Sequence, residues 1–148
     1  MAKGIIINIE STANTQTKKG GYIARLSCGA GKKELVGSSS QTTVNREALS
    51  GIIAALESLN EKAAGQTIEI KTSNAYVYQT VKYGHLKMYI TNNWTTYSGV
   101  PAKNRDLWEE LLQLKKEKDV KVAFTLEEDK DLRRQIKLLM KSEPSIEF

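Results

Sequence analysis

The sequence predicts an α/β fold built on one five-stranded mixed sheet with helices packed on its faces. Three observations predict it: strand-like segments at the start of the chain, a strongly amphipathic helix after them, and strands alternating with helices from there on. A strand meander followed by such an alternation is typical of a single sheet covered by helices. The predicted order is strand-strand-strand-helix-strand-helix-strand-helix, in a single domain over residues 1–142 with a loose tail at 143–148.

The first half of the chain predicts three strands and one helix. Residues 4–10 form an apolar, β-branched run typical of a buried strand, and two further strands follow at 22–28 and 33–38. Turns at 11–21 and 29–32, both containing glycines, separate them. The next helix has apolar residues on one face at helical spacing. They are Leu49, Ile52, Ile53, Leu56 and Leu59.

The second half alternates strands and helices. Residues 67–72 alternate as a fourth strand, and Ser73 or Asn74 can cap a short helix after it. Residues 103–118 form a strongly amphipathic helix, and residues 120–125 alternate as a fifth strand. A final helix at 129–141 is expected to bury four apolar side chains. They are Leu132, Ile136, Leu139 and Met140.

The composition is that of a soluble globular protein. The chain has 148 residues, of which 40% are hydrophobic and 26% charged. No apolar run reaches the roughly 18 residues of a membrane span, and the N-terminus has no signal-peptide pattern. The single cysteine, Cys28, excludes an internal disulfide and fits a reducing compartment. We therefore expect a cytoplasmic protein with no membrane partner, no small-molecule substrate and no zinc site.

A basic stretch without acidic residues runs from residue 79 to residue 105. The whole chain carries a net charge of +5, which permits binding to polyanions. Aromatic side chains lie among the basic ones in this stretch, and together the two kinds suit a nucleic-acid backbone and its bases. The basic residues are Lys82, Lys87, Lys103 and Arg105, and the aromatic ones are Tyr83, Tyr89, Trp94 and Tyr97.

Three motifs resemble those of the ribonuclease H family. Gly20-Gly21-Tyr22 sits where the family turns from its first strand to its second. Residues 42–49, Thr-Thr-Val-Asn-Arg-Glu-Ala-Leu, resemble the T-T-x-N-R-x-E-L signature of the family's first helix. Residues 93–94 and 101–108 are similar to the N-W…P-x-K-N-x-D-L-W segment of the bacterial enzymes. The resemblance covers roughly residues 4–140 and implies the ribonuclease H fold.

The resemblance also implies a reaction, the hydrolysis of a phosphodiester by two Mg²⁺ ions about 4 Å apart. Mg²⁺ prefers oxygen ligands, so the family gathers four carboxylates at one place. This sequence departs from that set. The last position depends on the alignment of the final helix: with Ile136 as the core position it is Arg134, and Asp131 is the nearest carboxylate that could substitute. The matching residues are Glu10, Ala48, Ser73 and Arg134.

One longer carboxylate cannot hold two hard cations, so the resemblance predicts a catalytically inactive ribonuclease H-like protein with no catalytic residue, no metal and no cofactor. It is expected to bind nucleic acid without cleavage, either an RNA–DNA hybrid or duplex or structured RNA. Hydroxyl and amide groups near a helix N-terminus suit a phosphate, although helix capping explains Thr43 equally well and core packing is the alternative for Trp94. The predicted contact residues are Thr43, Asn45, Asn74, Lys82, Lys87, Trp94, Lys103 and Arg105.

Two alternatives stay open. The fold could serve as a protein-interaction module, either an inhibitor or an assembly subunit, because the loss of like charges from a concave site relieves their repulsion. A divergent Mg²⁺-dependent ribonuclease H could instead have rebuilt its site, and Mg²⁺ would be a cofactor only in that case. Glu47 adjoins a family position, but one residue turns a helix by about 100° and points the side chain elsewhere. The available carboxylates are Glu10, Glu47, Glu127, Glu128 and Asp131.

Overall fold

The computed structural model describes residues 4–139, and its strands form one mixed sheet. The strands are β1 (Ile5–Ala13), β2 (Gly20–Cys28), β3 (Gly31–Ser39), β4 (Thr67–Thr72) and β5 (Lys121–Leu126). Their order across the sheet is β3-β2-β1-β4-β5. The first three strands pair antiparallel, whereas β4 pairs parallel with both β1 and β5. The predicted five-stranded mixed sheet is therefore confirmed.

Helices make the connections that the parallel strands require. Within the described residues the α-helices are α1 (Val44–Glu57), α2 (Ala75–Lys82), α3 (His85–Thr91), α4 (Arg105–Glu117) and α5 (Lys130–Leu139), and a short 3-10 helix spans Glu61–Ala63. The predicted order of strands and helices is confirmed, with α3 as a short helix that the sequence pattern did not predict. No helix of this part of the chain is long and apolar enough to cross a membrane.

Strand β1 extends three residues past the predicted strand. Residues 11–13 were expected in a turn, but they pair with the start of β2 as far as Ala13 opposite Gly20. Gly20 allows this pairing because a Cβ atom there would lie 2.7 Å from the carbonyl oxygen of Thr12. The close approach of the two backbones therefore places the glycine inside the hairpin rather than at the end of the turn.

Apolar clusters cover the two faces of the sheet. Ile7 and Ile9 of β1 pack with α1 and α4 on one face, whereas Ile23 of β2 belongs to a second cluster on the other face. Side chains alternate along a strand, so Glu10, which pairs with Ile23, points to the second face. The residues of α5 that pack on this second face are Leu132 and Ile136.

The end of α5 differs from the prediction. Leu139 was expected to be buried, but it is 55% exposed. Helix α5 packs on β1 and β2, and apolar residues at helical spacing are buried only where a sheet lies beneath them. The last turn of α5 extends beyond that support. Met140 and the predicted tail at 143–148 lie outside the described residues.

Candidate functional site

A buried carboxylate lies near the end of β1, beside β4. In the parallel pairing Ile9 is opposite Thr72, so the next residues, Glu10 and Ser73, are brought together. The Ser73 hydroxyl donates a hydrogen bond of 2.6 Å to Glu10 Oε1. The backbone N–H of Asp129, just before α5, donates to Oε2 at 2.9 Å. Both oxygens of this carboxylate therefore have hydrogen-bond partners.

An arginine from α5 supplies the opposite charge. Nη2 of Arg133 donates to Glu10 Oε1 and, at 3.0 Å, to the Ser73 hydroxyl. Nη1 of the same side chain donates to the carbonyl oxygen of Ser11 at 2.8 Å. A guanidinium stays protonated at every physiological pH, so the charge beside the carboxylate is permanent. The site is thus an ion pair between a buried carboxylate and a partly exposed guanidinium, and it joins β1, β4 and α5.

The position beside Glu10 belongs to Arg133 and not to Arg134, which the family resemblance had suggested. The Arg134 side chain is 78% exposed and lies 3.7 Å from Asp131. Arg134 is two residues from the buried Leu132, a rotation of about 200° around the helix, whereas Arg133 is only one residue away and borders the packed face. The rotation of α5 therefore decides which arginine enters the site.

Asp131 takes part in a different ion pair. Arg25 of β2 donates to its carboxylate at 2.7 Å, and this hydrogen bond holds the pKa of Asp131 below its ordinary value. Arg25 also pairs with Glu34 of β3 at 2.9 Å. Asp131 therefore ties α5 to the antiparallel strands, and it does not serve as the substitute carboxylate that the sequence had suggested.

The residues at the start of α1 offer no replacement either. Ala48 is fully buried in the main apolar cluster. Glu47 is also buried, and one of its oxygens accepts a hydrogen bond of 2.9 Å from the Thr42 hydroxyl. The pKa of the Tyr22 hydroxyl on β2 is raised mainly because the group is partly buried, and further because the negative charge of Glu47 is near. The contacts that Glu47 makes are therefore with Thr42 and Tyr22.

The donors around Glu10 do not fit two Mg²⁺ ions. Besides the single carboxylate they comprise a hydroxyl, a backbone N–H and a guanidinium, and the positive charge of Arg133 repels a divalent cation. Across residues 4–139 no group of three or more His, Cys, Asp or Glu side chains could hold a metal ion. The carboxylates considered above for a rebuilt magnesium site therefore do not form a metal-binding group among these residues. They are Glu10, Glu47, Glu127, Glu128 and Asp131.

Three of the predicted nucleic-acid contacts lie at adjoining helix N-termini. Thr43 is the N-cap of α1 and accepts a hydrogen bond of 3.1 Å from the backbone N–H of Arg46. Asn74 is the N-cap of α2, where its Oδ1 accepts from the Val77 N–H at 2.9 Å. The Asn74 side-chain amide also donates to Asn45 Oδ1 at 2.9 Å. This amide pair holds the N-termini of α1 and α2 together.

The aromatic residues of the basic stretch form a chain of ring contacts. Trp94 is half-buried, packs against the main apolar cluster and lies with its ring centroid 6.4 Å from that of Tyr89. The guanidinium carbon of Arg105 lies 5.6 Å from the Trp94 centroid, within range of a cation–π contact. Tyr83, by contrast, is 61% exposed.

The lysines of the stretch are exposed. Within the described residues no carboxylate lies within salt-bridge distance of Lys82, Lys87 or Lys103, whereas Arg105 pairs with Glu109. Lys82 Nζ lies 5.3 Å from the Tyr78 ring centroid. The three ammonium groups are therefore available to an anionic partner.

A tyrosine to which the sequence pattern gave no particular role anchors this region. The Tyr76 hydroxyl accepts hydrogen bonds from Trp108 Nε1 at 2.9 Å and from the Asn104 amide at 3.1 Å, and it donates to the Lys103 carbonyl oxygen at 3.3 Å. Trp108 is fully buried. These bonds join α2 to the start of α4 and fix the backbone beside two predicted contact residues, Lys103 and Arg105.

Comparisons with known proteins match most of the chain. A family model described as RNase H matches residues 3–125. A Ribonuclease H from Prosthecochloris aestuarii is 37% identical over 114 residues, covering 77% of this chain and 76% of the relative. A Ribonuclease H from Chlorobium phaeobacteroides is 36% identical over 120 residues, covering 81% and 80%. The crystal structure of LC11-RNase H1 in complex with RNA/DNA hybrid has a TM-score of 0.65 at 15% identity, covering 93% of this chain and 99% of that chain.

These relatives overturn the prediction that this protein is not an enzyme. Ribonuclease H is the name of an enzyme, and relatives of that name share 31–37% identity with the chain over 77% of its length. The prediction depended on the residue types at a few positions, among them Ala48 and Ser73, whereas the likeness extends over most of the chain. The family model and these relatives establish that this chain belongs to the ribonuclease H family.

Proposed function

We propose that this protein binds RNA–DNA hybrids, with the N-termini of α1 and α2 and the basic stretch facing the phosphate backbones. The hydrogen bond between Asn45 and Asn74 is the observation that carries the proposal, because it holds two helix N-termini at one surface. Each N-terminus presents backbone N–H groups without intrahelical partners and a partial positive charge. Such groups bind phosphate oxygens.

In this proposal the basic stretch supplies further contacts to the phosphates. Lys82, Lys87 and Lys103 are exposed, and their ammonium groups can pair with phosphates without first breaking an ion pair. The exposed part of Trp94 offers a face to a sugar or a base. Helix N-termini and exposed lysines bind phosphate whatever the base sequence, so we expect binding that is sensitive to salt and insensitive to sequence.

The relatives support the choice of nucleic acid. LC11-RNase H1, whose fold this chain shares, was crystallised in complex with RNA/DNA hybrid. The curated relatives are named as ribonucleases, so cleavage of the bound RNA strand belongs in the same experiment as binding.

The test is a titration of a labelled RNA–DNA hybrid on native and denaturing gels, across a salt series and with either Mg²⁺ or EDTA. Duplex DNA, duplex RNA and single strands serve as competitors. We expect the logarithm of the affinity to fall linearly with the logarithm of the salt concentration, more steeply the more phosphates the protein neutralises. If the protein does not bind the hybrid, or if its affinity does not change with salt concentration, the proposal is wrong. A protein would then be the expected partner.

Two variants locate the surface. Asn45→Asp keeps the oxygen that accepts from Asn74 but adds a negative charge, so it should weaken hybrid binding while leaving the melting temperature unchanged. Lys87→Ala should reduce the salt slope by about one. The matched control is Lys115→Ala, an exposed lysine in the last turn of α4. An equal loss in the control would show that overall charge, and not this surface, binds the hybrid.

A further inference from the structure

The positive charge beside Glu10 is supplied by a side chain of the protein itself, that of Arg133. We infer that the guanidinium of Arg133 replaces a divalent metal ion there, so that α5 is held to β1 and β4 without Mg²⁺. This inference concerns the protein without nucleic acid, and it therefore stands or falls independently of hybrid binding.

The burial of Glu10 makes a positive partner necessary. Its side chain is 0% exposed, and an ionised carboxylate in that position is strongly unfavourable unless it is both paired and hydrogen-bonded. Arg133 supplies the charge, and the Ser73 hydroxyl and the Asp129 N–H supply further hydrogen bonds. The carboxylate is thereby satisfied with no contribution from a metal ion.

The geometry of Arg133 explains how an organic cation can link three elements. Its two terminal nitrogens contact Glu10 and the Ser11 carbonyl oxygen on β1 and the Ser73 hydroxyl after β4. The side chain itself projects from α5. A metal ion links elements by drawing ligands from each of them, and here the fork of the guanidinium does the same with hydrogen bonds.

A Mg²⁺ ion would have to displace this guanidinium. The pair of Glu10 and Arg133 is neutral, so it has no net attraction for a cation, and Mg²⁺ gives up its hydration water reluctantly. The neighbouring carboxylates do not offset this, because Glu127 lies 3.5 Å from Lys71 Nζ and Asp131 pairs with Arg25. The third neighbouring carboxylate, Glu128, is itself paired with Arg133, because its Oε1 lies 3.9 Å from Nε of that side chain.

Thermal unfolding with and without Mg²⁺, at matched ionic strength and without nucleic acid, tests the inference. The melting temperature of the unaltered protein should be the same in EDTA and in millimolar Mg²⁺. Arg133→Glu places a second carboxylate beside Glu10, so we expect a lower melting temperature in EDTA that Mg²⁺ raises. Arg134→Glu makes the same charge change on an exposed neighbour and should show no response to Mg²⁺.

Mn²⁺ gives a direct second measurement, because it broadens the NMR signals of nearby amides. In the unaltered protein the amide signals of Glu10, Ser73 and Asp129 should stay sharp, and Arg133→Lys, which keeps a cation, should behave in the same way. Selective broadening of these signals in the unaltered protein, or a rise in its melting temperature with Mg²⁺, would overturn the inference. The measurements on the unaltered protein and on Arg133→Lys decide the question even if Arg133→Glu does not fold.

Discussion

Arg133 and Glu10 lie 123 positions apart in the chain, and the guanidinium donates a hydrogen bond to the buried carboxylate. The contact connects α5, on one face of the sheet, to the strand at its centre. The pair lies where the family resemblance led us to expect a cluster of carboxylates. Structural stability and the chemistry of the site therefore depend on the same two residues.

Removal of the arginine should strongly destabilise the protein. Arg133→Ala leaves the carboxylate of Glu10 buried without its charge partner, and we expect the free energy of unfolding to fall by about 3–5 kcal/mol. Arg134→Ala, on the exposed side of the same helix, should change it by less than about 0.5 kcal/mol. Urea denaturation measures both values, and a similar small change in the two variants would show that the ion pair has no such role.

The Tyr76 hydroxyl should matter for the same kind of reason. Tyr76→Phe leaves the buried Trp108 Nε1 and the Asn104 amide without their acceptor, so we expect a loss of about 1–3 kcal/mol in urea denaturation. Tyr97→Phe is the matched control, because that side chain is 90% exposed. Equal stability of the two variants would contradict the role given to Tyr76.

Because the Tyr22 ring is tightly packed against Gly37, a single methyl group added at Gly37 should destabilise the protein. A Cβ atom on Gly37 would lie 2.3 Å from the Tyr22 ring, so Gly37→Ala should destabilise the protein by about 1–3 kcal/mol through overpacking. A Cβ atom on Gly4 would have nothing within 4 Å, so Gly4→Ala serves as the control. If both substitutions are tolerated in thermal unfolding, β3 moves away from the ring more easily than its pairing suggests.

The ion pair between Arg46 and Asp106 predicts a pH dependence. The hydrogen bond from Arg46 lowers the pKa of the Asp106 carboxyl in the folded protein. The folded state then binds this proton less tightly than the unfolded state, so the stabilisation is complete above the ordinary pKa of about 3.9 and is lost as the pH falls through the lowered value. The difference in melting temperature between the unaltered protein and Asp106→Asn should therefore shrink in acid. A difference that stays constant down to the lowest pH would contradict the pairing.

The two tryptophans allow an optical test of the proposed surface. Trp108 is fully buried, whereas part of Trp94 is exposed among the basic residues. Hybrid binding should therefore change the fluorescence of the unaltered protein, and Trp94→Phe should abolish the change while retaining an aromatic ring. A change that persists in Trp94→Phe would mean that the hybrid acts on the core around Trp108 instead.

The local sequence pattern correctly predicted the strands and helices in which apolar residues recur at a regular spacing. Strand β4 has the bounds expected from its alternation, and the apolar stripe of α1 is buried as its spacing indicated. The extension of β1 was not predictable in this way, because residues 11–13 are polar and turn-like and pair only where Gly20 lets the backbones approach.

The candidate site was less predictable than the fold. The family resemblance identified Glu10 and Ser73, and the parallel pairing of their strands brings them together. The choice between Arg133 and Arg134 depends on the rotation of α5 over the sheet, which apolar spacing fixes only to within a residue. The Tyr76 contacts were missed for a related reason, since they join residues about thirty positions apart in two different helices.

The most direct measurement is the affinity for an RNA–DNA hybrid in EDTA and in millimolar Mg²⁺ at constant ionic strength. We predict binding in EDTA that weakens as salt rises and gains nothing from Mg²⁺, because helix N-termini and lysines contact the phosphates while Arg133 is the cation beside Glu10. Binding that appears only when Mg²⁺ is present would contradict both assignments.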